Sequence, residues 1–109
     1  MTTAAAIRQL AHLAMRGRTE ASVYRKASGA TRTITILVTR KPPADLMSGA
    51  SIVLEVLALN DASAGITPAE LDAGADKLDV AERHGGTAAP RMIARVLAQD
   101  EEFLTLEMR

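Results

Sequence analysis

The chain has 109 residues, with 13 Lys or Arg against 13 Asp or Glu and neither Cys nor Trp. A single domain of this size buries roughly 65% of the surface its unfolded chain exposes, enough for one core but not for a large internal active site. Zero formal net charge gives no basic excess for gripping nucleic acid, the missing cysteines exclude disulfides and thiolate metal sites, and no apolar run approaches the roughly 18–20 residues of a membrane-spanning helix. The opening MTTAAAIRQLAHLAMRGR lacks the basic-then-apolar order of a secretory signal, so the expectation is a small, soluble, neutral protein. Although 48% of the residues are hydrophobic, only Tyr24 and Phe103 are aromatic. The core must be aliphatic, rings for stacking bases or sugars are lacking, and partners are expected to add burial.

Residues 3–16 read as a helix that Thr2 or Thr3 can cap, with Ile7, Leu10, Ala11 and Ala14 as its apolar stripe and Gly17 as its stop. So short and weakly apolar a helix needs a docking surface, either its own domain or a neighbouring subunit. The spacing then changes to a period of two. Strands are predicted over 22–26 and 31–40, joined by a hairpin turn at Ala27-Ser28-Gly29-Ala30. Ile34, Ile36 and Val38 face inward and Thr33, Thr35 and Thr39 outward, until Lys41-Pro42-Pro43 ends the run. After a connector at 44–50, the most apolar strand covers 51–59, with Ile52, Leu54, Val56 and Ala58 inward. Val53, Leu57 and Leu59 on its other face imply cover on both sides.

A loop follows, and Thr67-Pro68-Ala69-Glu70 has the cap, proline and carboxylate of a one-turn helix start. Residues 77–83 alternate as a strand, with Leu78 and Val80 inward and Lys77, Asp79 and Arg83 outward; residues 84–90 form a glycine-rich hairpin loop. The 91–98 segment fits either period, and its shortness and flanking turns favour a strand. Phe103–Met108 makes the last one. The sum is mainly β: a helix and linker over 1–21, then a small antiparallel β-barrel or sandwich of about six strands over 22–109.

Little in this chain could do covalent chemistry. His12 reads as a surface histidine, and His84-Gly85-Gly86 lacks the nucleophile elbow that would give it meaning in a hydrolase. Asp72, Asp76, Asp79 and Glu82 form an acidic group without the ligand alternation of a calcium loop. No phosphate-binding loop is present. We therefore expect no enzyme, no metal and no cofactor. Arg16, Arg18, Arg25, Lys26, Arg32, Arg40 and Lys41 against Glu20 make the first 41 residues basic and the remainder acidic. That split is either a solvated face or complementarity between copies or with an acidic partner.

The element order, with Val23-Tyr24-Arg25 before Gly29, Asp76-Lys77-Leu78-Asp79-Val80 followed by Gly85-Gly86, and Ile93 through Val96 before Phe103-Leu104-Thr105-Leu106, resembles the small head–tail joining (stopper or connector) proteins of long-tailed bacteriophages and prophages. The resemblance covers most of the chain from Ser22 onward. It implies a compact β-barrel with a helix and a long loop, assembled in the host cytoplasm and then the virion neck as a homo-oligomeric ring, six-fold or twelve-fold, between portal or adaptor and tail proteins. DNA passes through or is retained there without specific binding, and no catalytic residue carries over. On that reading Ile7, Leu10, Val53, Leu57 and Leu59 are candidates for the subunit interface, and Asp72, Asp76, Asp79, Glu82 and His84 for a channel or loop that repels phosphate. A tail-terminator ring is the alternative within the same particle, favoured by a second full helix, for instance at 91–98. A small β-barrel binding module is the alternative outside it, and it needs a concave apolar pocket.

Overall fold

A computed structural model describes residues 4–41 and 53–109 of the chain. The Thr2 or Thr3 cap, Pro42-Pro43, the 44–50 connector, Ile52 and the side chain of Val53 lie outside the described residues. One helix, α1 (Ala4–Arg16), precedes six strands: β1 (Thr19–Arg25), β2 (Thr31–Lys41), β3 (Val53–Leu59), β4 (Lys77–Val80), β5 (Ala89–Gln99) and β6 (Phe103–Met108). The strands close into an antiparallel barrel in the order β1-β2-β3-β6-β5-β4. Segment 91–98 is a strand, and the chain is mainly β as its period of two requires.

Alternation decides which side chains fill the barrel. Tyr24, Ile34, Ile36, Leu54, Val56, Ala58, Leu78, Val80, Ile93, Leu104, Leu106 and Met108 form one buried cluster, with Val38 and Val96 packed against it. The inward residues of every strand meet there, so the barrel interior is a packed core. The opposite faces of β2, β3 and β6 carry Leu37, Leu57, Leu59 and Phe103, which would be wet on a bare barrel. Leu13 and Leu10 of α1 cover them in a second cluster. The helix that sequence left without an address therefore docks on its own domain.

Its roll differs from the expected stripe. Leu13 is fully buried, whereas Ile7, Ala11 and Ala14 face out. Leu10 and Leu13 pack on the leucines below, and polar contacts beside them hold the rotation. Gln9 Nε2 donates to the Glu101 carbonyl at 3.4 Å, His12 Nδ1 lies 2.9 Å from Glu102 Oε2, and the Arg16 guanidinium sits 4.7 Å from the Phe103 ring centre.

Further boundaries moved: β1 begins at Thr19, inside the expected linker, and β5 runs Ala89–Gln99, starting inside the expected hairpin loop, where each is held by pairing with a neighbouring strand. The strand expected over 77–83 stops at Val80, because the carbonyls that follow are taken by side chains: Arg91 Nε donates to Val80 O and Arg40 Nε to Ala81 O. Thr67–Glu70 makes a turn rather than a helix start. The Glu70 carboxylate accepts from both the Thr67 amide and its hydroxyl, but no apolar periodicity follows to continue the coil.

Because β3 neighbours β6 and β4 neighbours β1, residues 60–76 must cross one end of the barrel. Ile66 drops from that crossing into the core and is completely buried, with Leu71 packed beside it. Gly65 precedes Ile66 at a point where an added Cβ would lie 2.0 Å from the Leu59 carbonyl oxygen, so the two backbones can approach only without a side chain. The barrel closes at β1 and β4 over two residue pairs, Tyr24 with Leu78 and Arg25 with Lys77, against seven pairs between β1 and β2.

Candidate functional site

The acidic residues expected to line one loop surface are dispersed instead. Asp76 is buried, with 1% of its surface exposed. Its Oδ2 accepts from the Tyr24 hydroxyl at 2.5 Å and the Asp72 amide at 2.9 Å, and its Oδ1 accepts from the Ala27 amide at 2.9 Å. It is thus a tie between the crossing segment, the first hairpin and the core, and it does not face a channel. Burial pushes its carboxyl up, and bonds from Tyr24, Asp72 and Ala27 overcome this and hold it below the usual range. Burial, and then the same contact with Asp76, raise the Tyr24 phenol.

Beside it stands a second tie. Arg32 reaches Glu70 Oε1 at 2.8 Å, donates to the Gly65 carbonyl through Nε and Nη2, and stacks 5.1 Å from the Tyr24 ring centre. Glu70 is lowered to about 2: its burial opposes ionisation, but Arg32 and the two Thr67 donors outweigh that cost. The crossing segment is in this way clamped to the barrel end by Arg32, Tyr24 and the two carboxylates.

Asp79 is paired at 2.8 and 2.9 Å with Arg25, which holds its carboxyl down. Its backbone carbonyl accepts from Ser22 Oγ. These bonds, with Tyr24 to Asp76, span the short join between β1 and β4 and replace backbone pairs there. Glu82 is exposed and lies 3.3 Å from Arg91. His84 Nδ1 lies 3.5 Å from Glu20 Oε2, while both Glu20 oxygens accept from Arg40 at 2.8 Å. Asp72 is exposed. The five residues expected on one channel or loop surface are therefore dispersed, and only Asp79 and Glu82 pair with arginines. Much of the basic-then-acidic split along the chain closes within the chain as ion pairs, Arg25 with Asp79, Arg32 with Glu70 and the exposed Lys41 with Glu55 among them.

Of the expected interface residues, Leu10 and Leu57 are half-buried between α1 and the sheet, and Leu59 is wholly enclosed there. The chain's own helix has taken the role assigned to a neighbour, so Leu59 offers no outer surface. Ile7 stays 60% exposed. Sequence reading missed Met15, 85% exposed and about one helical turn beyond Ala11 and two beyond Ile7. It also missed Leu97, whose outward aim follows from a register shift between Val96 and Ala98. An unused apolar residue at i+8 was the available signal for Met15; a bulge gives none.

Two open grooves among the described residues have several charged residues in their walls, and a smaller one of about 170 Å³ is lined by Ala21, Ser22, Val23, Thr33, Asp79 and Ala88. One of about 350 Å³ is lined by Glu82, Arg83, Gly86, Thr87 and Arg91; another of about 380 Å³ by Arg16, Asp100, Glu101, Glu102 and Phe103. No group of three or more His, Cys, Asp or Glu that could hold a metal occurs among the described residues, nor is any described helix long and apolar enough to cross a membrane. The arrangement includes surfaces for contact: a closed barrel, a clamped crossing segment and an outer helix face of Ile7, Ala11, Ala14 and Met15 with exposed Arg8 beside it. No protein-family model, curated protein or solved structure matches the chain.

Proposed function

We propose that this protein is a structural subunit of the neck of a long-tailed bacteriophage or prophage, one copy of a homo-oligomeric ring that joins the portal or adaptor to the tail. DNA crosses the ring without base-specific contact. The observation that carries the reading is the closed barrel that fills its own interior and keeps its helix on the outside with an apolar, arginine-flanked face turned to solvent. A connector needs a folded wall and outward contact surfaces, and a closed barrel with an exposed helix face suits both. The likeness of segments 23–29, 76–86 and 93–106 to head–tail joining proteins supports the same assignment. Residues Ala89–Gln99 forming a strand favour a joining protein over a tail terminator, which calls for a further helix there. A ligand-binding barrel would want room inside, and here the interior holds Tyr24, Ile36, Leu104 and their neighbours.

Deleting the gene from the replicon that carries it tests the assignment. Filled heads that leak DNA and separate, complete tails should accumulate, and purified protein added to the mixture should restore joined particles. Normal virions from the deletion, or failure of the added protein to bind heads or tails, would overturn it.

A further inference from the structure

Residues 81–88 join the end of β4 to the start of β5 and so lie at one mouth of the barrel, while the 60–76 crossing joins β3 to β4 at the other. The two mouths are electrically unequal. The crossing holds Asp61, Glu70, Asp72 and Asp76 and no Lys or Arg. The 81–88 loop instead brings Arg83 beside Arg91 in the open groove of about 350 Å³ that Glu82, Gly86 and Thr87 also line. A loop expected from Glu82 and His84 to repel phosphate thus presents two guanidiniums.

Arg83 is the unspent cation of the barrel. Among the described residues Arg25, Arg32, Arg40, Arg91 and Arg95 each pair with a carboxylate, whereas exposed Arg83 pairs with none. Its stem is nonetheless placed. The Gly86 amide donates to the Arg83 carbonyl at 3.0 Å, and a Cβ on residue 86 would lie 3.0 Å from Arg83 Cγ and 3.5 Å from its Nε. A bare backbone at Gly86 therefore lets the arginine lie across the turn along the groove. Arg91, with a side chain 24% exposed, is aimed by the bond from its Nε to the Val80 carbonyl at 3.2 Å. Glu82 touches it once, at 3.3 Å, from a side chain 62% exposed, so it can swing away when a stronger acceptor arrives.

We infer that this groove takes the phosphate oxygens of a passing DNA backbone, with Arg83 and Arg91 as charge-assisted donors and the Thr87 hydroxyl as a third. The inference rests on the neck reading, which supplies the DNA. Tyr24 and Phe103 are buried, so no aromatic face is free to stack a base and the contact is blind to sequence. One such contact per subunit is weak, and repetition around a ring multiplies it while the duplex stays free to slide.

Nuclear magnetic resonance of the full-length protein at low ionic strength tests the contact, with a short random-sequence DNA duplex, inorganic phosphate and acetate each added at matched ionic strength. DNA should shift the Arg83 and Arg91 Nε–H signals and the Gly86 and Thr87 amides. Phosphate should shift the same signals at higher concentration, and acetate should leave them in place. Arg83→Gln should weaken DNA binding about threefold or more, while Arg8→Gln, which removes a charge from α1, should leave it unchanged. Gly86→Ala keeps every charge and should also weaken binding, since the new Cβ displaces Arg83.

Equal losses from Arg8→Gln and Arg83→Gln would overturn the inference in favour of diffuse attraction, and so would the absence of any shift with DNA. Shifts from phosphate alone would assign the groove to the free ion, and equal shifts from acetate would assign it to a carboxylate of a protein partner; either overturns the DNA assignment. The deletion experiment above separates the two readings. Wild-type protein that restores joined particles yet shows no DNA shift discards the groove and leaves the neck reading standing. A DNA shift confined to this groove, with normal virions from the deletion, discards the neck reading and keeps the groove.

Discussion

Replacing Asp76 by alanine tests whether the crossing segment is held by the buried carboxylate. The substitution removes the acceptor of three donors at once: the Tyr24 hydroxyl and the amides of Asp72 and Ala27. The residues carrying those amides are exposed, so water can replace the carboxylate there, at a net cost of about 0.5–1.5 kcal/mol each. Tyr24 is completely buried, and its stranded hydroxyl costs about 1–3 kcal/mol. The sum is about 2–6 kcal/mol, a large share of the roughly 5–15 kcal/mol that stabilises a domain. Tyr24→Phe removes one donor and leaves the carboxylate two, so it should cost only about 1–2 kcal/mol. In the double variant no hydroxyl is left to strand. Its loss should fall short of the sum of the two single losses by about 1–2 kcal/mol. Urea titration followed by far-ultraviolet circular dichroism reads all three values, with an unchanged slope as the sign of a common unfolding reaction. A loss below about 1 kcal/mol for Asp76→Ala, or strict additivity, would refute the reasoning.

Gly65→Ala should destabilise by about 3 kcal/mol or more, since its Cβ would meet the Leu59 carbonyl and neither backbone can retreat without lifting Ile66 from the core; thermal unfolding checks it. Leu13→Ala should cost about 2–4 kcal/mol and free the helix, seen as faster proteolysis at Arg16 and Arg18 with the barrel left folded. Acid should weaken the fold in a defined direction. Glu70, Asp76, Asp79 and Glu20 all ionise more readily folded than unfolded, so the unfolded chain takes up more protons as the pH falls. Stability should be level above about pH 5 and fall between about 4.5 and 2. Glu70→Gln with Asp76→Asn should flatten that slope, and a melting temperature that rises on acidification would contradict it.

Much of the barrel was readable because alternation is a local property. Ile34-Ile36-Val38, Leu54-Val56-Ala58 and Leu104-Leu106-Met108 announce their inward faces without help from distant residues. Strand order was not readable, since β3 meeting β6 depends on a pairing some 45 residues apart along the chain, Leu59 with Phe103 among the pairs. The helix roll failed for a related reason. Counting Ile7, Leu10, Ala11 and Ala14 as one stripe ignores what lies beneath, and the leucines of β2 and β3 select Leu13 instead. Asp76 looked like one acid among several because burial is a property of the fold, and only the crossing of 60–76 carries it inside.

The brief join of β1 to β4 gives the cylinder a line of weakness. Its two residue pairs leave little ladder to protect amide protons, while the side-chain bonds from Arg25, Ser22 and Tyr24 that bridge it depend on charge and geometry more than on backbone. Native-state hydrogen exchange should therefore show Lys77–Val80 opening well below the free energy of global unfolding, with β3 and β6 releasing their protons last. Parted there, the tube would become a curled ribbon whose two free margins are β1 and β4, still stitched through β2, β3, β6 and β5.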